Sequence, residues 1–212
     1  MTGTSDSERL VHHLTTVGET IACAESLTAG LVAAAIADTP GASLVLRGAV
    51  VAYAADLKVA LLGVDPGLIE QAGTVDPRVA VAMAEGVRSR LGATWGVATT
   101  GVAGPGPAEG KPAGTVHIAV SGPSGTVTRP LRLHGGRPAI RQATVAAALG
   151  LVVEQLQIEP GAGDSVGVGT TGDDRAPEHA SVVAETTATP FDPRGTVGGT
   201  GPTTDGTTRR TT

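Results

Sequence analysis

Aromatic side chains are almost absent: Tyr53, Trp95 and Phe191 are the whole inventory in 212 residues. Platforms on which unpaired bases stack cannot be built from so few rings. Positive charge is also short. The formal charge is -5, which lacks the basic footprint that binding a duplex through counterion release requires. Nucleic acid is therefore not expected as a direct ligand. A single cysteine, Cys23, excludes an internal disulfide framework and any zinc site needing two thiolates from one chain. No apolar run approaches the roughly 18 residues of a membrane span, and the opening MTGTSDSERL has no basic segment followed by an apolar one. The expectation is a cytoplasmic protein in a reducing setting, with no membrane partner.

Composition changes after Pro160. In the 52 residues from Gly161 to Thr212, Gly, Pro and Thr make up 27, and Leu and Ile do not occur. Such a stretch buries too little apolar surface to offset its ordering entropy. It is expected to be a disordered tail, so residues 1–160 form the domain and 161–212 the extension. Within 1–160 the hydrophobic period alternates. Helices are predicted over Ser7–Val17, Leu27–Asp38, Asp56–Leu62, Pro66–Ala72, Pro77–Leu91 and Pro138–Gln157. Apolar strands are predicted at Thr20–Ala24, Leu44–Ala54 (buried) and Trp95–Thr99, with a hairpin from Thr115–Val120 to Thr126–Leu133. The fold class is α/β: a layered α/β/α domain with a mixed, mostly parallel sheet and one antiparallel hairpin.

Three loops after predicted strands collect polar residues that an Ala/Val-rich core does not need: Ala24–Gly30 (AESLTAG, with Glu25, Ser26, Thr28 and Gly30), Tyr53–Lys58, and Thr99–Gly106. Ligands of open α/β sheets sit beyond the carboxyl ends of strands. Ser26 falls at a strand-to-helix junction, where a nucleophile would stand beside free helix amides suited to an oxyanion. A plain helix cap is the competing reading. Lysine is scarce, with only Lys58 and Lys111 present. Unlike arginine, a desolvated lysine can act as a base, and Lys58 is flanked by Leu57, Val59, Leu61 and Leu62. A Ser-Lys pair needs no histidine. The alternative is a lysine that snorkels to solvent.

The segment TTGVAGPGPAEGKPAG carries Gly101, Gly104, Gly106, Gly110 and Gly114. Their amides could approach a phosphate closely, yet neither a Walker pattern nor a dinucleotide fingerprint is present. A long hairpin-side loop is the plainer possibility. Arg137 and Arg141, one helical turn apart, could face an anion together or form a surface pair. The five histidines do not cluster, so no metal and no cofactor is expected; His117 and His134 read as structural or solvated.

Taken together, AESLTAG, GAVVAYAADLK, TTGVAGPG with KPAGTVHIAV, and GGRPAIRQATVAAAL resemble the C-terminal domain of the competence/damage-inducible CinA family. The likeness runs from about Glu8 to Gln157, and it is closest to the stand-alone form, without the molybdopterin-binding-like domain of full-length members. It implies a Ser/Lys amidohydrolase acting on nicotinamide mononucleotide, with Ser26 as nucleophile, Lys58 as base and Tyr53 orienting one of them. It also implies that Ser43 and Thr100 are polar site residues, that Arg141 contacts the nucleotide, and that amides from Thr28 to Gly30 hold the oxyanion. Thr28-Ala29-Gly30 departs from the commoner Thr-Gly-Gly, which bears on substrate fit. A nucleotide-binding regulatory module and an amidase for another small amide are the alternatives. Self-association into a homo-oligomer fits either reading.

Overall fold

The computed structural model describes residues 4–158; the expected tail lies outside them. Helix α1 (Asp6–Val17) opens with a capping box in which Ser5 and Glu8 bond each other's backbone N–H, and it closes on Gly18. There follow β1 (Ile21–Glu25), α2 (Leu31–Ala37), a 3₁₀ turn (Ala42–Leu44), β2 (Leu46–Val51), α3 (Ala55–Leu62), α4 (Pro66–Ala72) and α5 (Pro77–Arg90). Then come β3 (Trp95–Gly101), β4 (Thr115–Gly122), β5 (Gly125–Arg132) and α6 (Arg137–Gln155). Proline at the first turn of α4, α5 and α6 costs no intrahelical bond there.

The sheet has the order β2-β1-β3-β4-β5. β1 is parallel to β2 and β3, and the pairs β3–β4 and β4–β5 are antiparallel, so β4 alone runs against the other four strands. One face carries Ile21, Cys23, Val97, Val116, Ile118 and Val120 under α1, α2 and α6. The other presents Ala22, Ala24, Ala98 and Ala119 to α3 and α5. These methyls let α5 lie close to the strands. A Cβ at Gly96 would run into the Ala84 carbonyl, and one at Gly86 into the Leu62 carbonyl at the end of α3. Backbone cannot yield as a side-chain tip can, so Gly86→Ala is expected to destabilise the domain by about 1–3 kcal/mol, read as a lowered urea midpoint at unchanged slope.

Two expectations are corrected. The strand at Leu44–Ala54 is shorter and is a sheet edge whose residues alternate between half-buried and exposed. It is covered on one face only: Leu46, Gly48 and Val50 are half-buried, whereas Arg47, Ala49 and Val51 are exposed. Helix α2 begins at Leu31 rather than Leu27, because Ala29 (φ 51°) and Gly30 (φ 96°) are left-handed and interrupt any helical path from Ser26.

Candidate functional site

β1 and β3 lie side by side and parallel, so the turn after β1 and the loop after β3 emerge at one end of the sheet, joined there by the segment after β2. Ser26 continues the pairing by donating its N–H to the Thr99 carbonyl (3.0 Å), and its own carbonyl accepts from Ala29 N–H (3.2 Å). Ser26 is therefore held in a tight turn before α2. It does not cap that helix; Gly30 is the N-cap residue.

The amides that Ser26 was expected to share with a substrate are largely taken. Glu25 is fully buried, and its carboxylate accepts from Gly30 N–H (2.8 Å), Val32 N–H (3.1 Å) and Ala33 N–H (2.9 Å). Glu25 is thus occupied with the start of α2 and unavailable to a ligand, and Gly30 has no amide to offer one. Thr28 is also fully buried, its hydroxyl shared with Thr99 at 2.7 Å. Within the stretch from Ser26 to Ala33, the N–H groups of Leu27 and Thr28 are the two that make no hydrogen bond among the described residues.

Lys58 shares the inward stripe of α3 with Leu62, four residues on, a position normally filled by an apolar side chain. It is 1% exposed, so it does not snorkel. Its Nζ lies 3.0 Å from Ser26 Oγ, 2.6 Å from the Ala52 carbonyl and 3.3 Å from the Tyr53 carbonyl. Burial lowers its pKa to about 8, partly opposed by the charge of Glu109. The two carbonyls can only accept. In the neutral amine they hold both N–H bonds, which leaves the lone pair for Ser26, the one partner with a proton to give.

Tyr53 contributes to this arrangement through its backbone carbonyl. Its side chain instead stands half-exposed at a cleft of about 390 Å³, where the phenol accepts from Arg137 Nη2 at 2.6 Å. Ser26, Leu27, Gly101, Gly104, Glu109 and Arg137 line the same cleft. Arg137 Nη1 also donates to the Gly104 carbonyl (2.8 Å), strapping α6 to the glycine loop. Arg141 is turned away to the Leu27 and Thr28 carbonyls.

Thr100 is buried, and its hydroxyl donates to the Thr74 carbonyl (2.7 Å), supporting a wall of the cleft. Ser43 is an exposed member of the 3₁₀ turn before β2, whereas the site lies beyond the other end of that strand. It cannot join Ser26 within one chain.

Sequence reasoning missed Glu109, whose carboxylate accepts from Thr74 N–H, Thr74 hydroxyl and Val75 N–H and pins the segment leading into α5. A lone acid in a glycine-rich loop was its only signal. Cys23 is excluded as a nucleophile, since burial and then the charge of Glu25 push its thiol well up. His117 is buried in β4, and desolvation lowers its pKa against the opposing charge of Asp76. Among the described residues no cluster of three or more His, Cys, Asp or Glu could hold a metal, and no helix is long and apolar enough to cross a membrane.

The family model of the CinA C-terminal domain matches residues 4–156. The chain belongs to that family. A CinA-like protein of Frankia casuarinae is 58% identical over 137 residues, which are 65% of this chain and 32% of the relative. A putative competence-damage inducible protein of Desulforamulus reducens is 51% identical over 140 residues, 66% of this chain and 34% of its own length. The chain thus spans about a third of the length of these curated relatives. Among solved structures, the competence/damage inducible protein CihA of Agrobacterium tumefaciens superposes with a TM-score of 0.66 at 35% identity, covering 74% of this chain and 99% of that one. A CinA superfamily protein of Klebsiella pneumoniae gives 0.70 at 27% identity, covering 72% and 96%.

Proposed function

We propose that this CinA-family domain hydrolyses the carboxamide of nicotinamide mononucleotide, giving nicotinate mononucleotide and ammonia. The observation that carries the reading is the buried Lys58 amine 3.0 Å from the Ser26 hydroxyl at the edge of an open cleft. Neutral Lys58 takes the Ser26 proton as Oγ attacks the carboxamide carbon, and the carbonyl oxygen gains negative charge opposite the Leu27 and Thr28 N–H groups. The resulting ammonium of Lys58 returns its proton to the departing nitrogen, which leaves as ammonia. Water, deprotonated by the same amine, then cleaves the Ser26 ester and releases the carboxylate. We assign the nucleotide phosphate to the glycine loop beside Arg137, whose exposed guanidinium lines the cleft, whereas that of Arg141 is turned to the Leu27 and Thr28 carbonyls.

The test is ammonia release from nicotinamide mononucleotide, with nicotinate mononucleotide identified by chromatography and with nicotinamide and unrelated amides as comparisons. Binding of the nucleotide without ammonia would replace the enzyme by a binding module. The lysine also sets a pH dependence. Its pKa is lowered to about 8, so kcat/KM is expected to rise about tenfold per pH unit below that value and to level off above it. The folding contribution follows the same shift. Below about pH 8 the charged amine is penalised in the folded state only, and the penalty is relieved as pH rises from 8 toward 10.5. Stability should therefore increase across that window, and denaturant midpoints taken at pH 8, 9 and 10 check it.

A further inference from the structure

Arg141 stands near the start of α6, yet its guanidinium does not face the cleft. Nε donates to the Leu27 carbonyl at 2.9 Å and Nη2 to the Thr28 carbonyl at 2.7 Å, across 113 residues or more of chain. These are consecutive peptides of the turn that carries Ser26. A trans peptide points its oxygen and its hydrogen to opposite sides. Holding the Leu27 oxygen on the Arg141 side therefore aims the Thr28 N–H the other way. Holding the Thr28 oxygen does the same for Ala29 N–H, which is spent on the Ser26 carbonyl. The Thr28 N–H makes no hydrogen bond among the described residues.

We infer that Arg141 is a positioning residue for amide hydrolysis, clamping from behind the peptide whose N–H receives the developing oxyanion. This rests on the amidohydrolase reading above and goes beyond it, since it takes Arg141 away from the nucleotide and gives it a part in the chemical step. Two physical effects act together. The clamp fixes the direction of the donor before substrate arrives, and a preorganised donor costs no reorganisation during reaction. A cation on a carbonyl oxygen also draws electron density through the peptide, making its N–H a stronger donor. Among the described residues Arg141 forms no ion pair, so no carboxylate offsets that pull. An arginine suits the task because its rigid fork reaches two carbonyls at once, whereas lysine offers a single point charge.

The experiment compares Arg141→Gln and Arg141→Lys with the wild-type protein on nicotinamide mononucleotide and on its phosphate-free riboside. A clamp predicts that Arg141→Gln lowers kcat by about 10²-fold on both substrates, the scale of losing one oxyanion donor, with KM changed less than about twofold. Arg141→Lys, which keeps the charge but not the fork, should recover part of that loss on both. A loss confined to the phosphorylated substrate and expressed in KM would make Arg141 a phosphate ligand and overturn the inference. The amide resonance of Thr28 in a nitrogen-15 correlation spectrum supplies a readout independent of turnover. It should move, and exchange faster with solvent, in Arg141→Gln while resonances of β4 and β5 stay in place. If the wild-type protein hydrolyses neither substrate, the amidohydrolase reading fails by itself. An unmoved Thr28 resonance would separately sink the clamp.

Discussion

Replacing Lys58 by methionine is expected to lower amide hydrolysis by about 10³-fold or more, while the domain stays folded at pH 7. Methionine fills nearly the same slot along the inward stripe of α3 but has no lone pair to take the Ser26 proton, and general-base removal alone costs about 10²–10⁴-fold. The stability side has two opposing parts. Carbonyls of Ala52 and Tyr53 lose their donor, which costs about 1–3 kcal/mol for a buried acceptor left unpaired. Against this, the ammonium no longer has to be buried. A pKa lowered from 10.5 to about 8 corresponds to a burden of about 3 kcal/mol below pH 8, so the two nearly cancel. Arginine is a poorer probe, because its larger, permanently charged head must enter a site that is 1% exposed. Ser26→Ala should match Lys58→Met in turnover and cost little stability, since Ser26 is not a helix cap. Near-normal ammonia release from Lys58→Met would remove the lysine from the chemistry, and unfolding curves at pH 7 decide whether any loss is catalytic.

Glu25→Ala is expected to produce the largest loss of stability of any single change discussed, about 3–5 kcal/mol. One carboxylate satisfies three N–H groups at the start of α2 from a fully buried position. Hydrogen bonds to a charged group contribute about 1.5–3 kcal/mol each, though not additively. Against a typical total of about 5–15 kcal/mol, that should lower the melting temperature by about 10 °C. Glu25→Gln keeps one acceptor oxygen and should lose roughly half as much. Chemical denaturation of the three proteins checks this, and a loss under about 1 kcal/mol for alanine would show that water replaces the carboxylate without penalty. Because the same turn carries Ser26, activity should fall further than the unfolded fraction accounts for.

The contrast between these two residues shows what a sequence can carry. Lys58 was legible because lysine is scarce and apolar neighbours surround it, so composition itself set it apart. The α/β alternation was equally plain, down to the hairpin and the six helices. Glu25 was legible only as part of a polar loop. Its role depends on α2 starting at Leu31, and that start is set by two left-handed residues whose conformations no periodicity reveals. Ser43 went astray for a topological reason: a local motif does not say which end of a strand it occupies. The division of labour between Arg137 and Arg141 was hidden because both spacings suit an anion. Only the fold shows that one faces the cleft and the other two carbonyls.

The alanine face of the sheet acts as a gauge block. Ala22, Ala24, Ala98 and Ala119 set how near α5 sits, and the segment leading into α5 holds Thr74 and Val75 against the Glu109 carboxylate in the cleft wall. Adding one methylene to any of these methyls would shift a helix rather than a loop, since packed interiors transmit displacement instead of absorbing it. The aperture over Ser26 is thereby governed from inside the domain, by residues that never meet a ligand. Exchanging alanine for glycine or serine on that buried face would shift the cleft wall while leaving every polar group of the cleft in place.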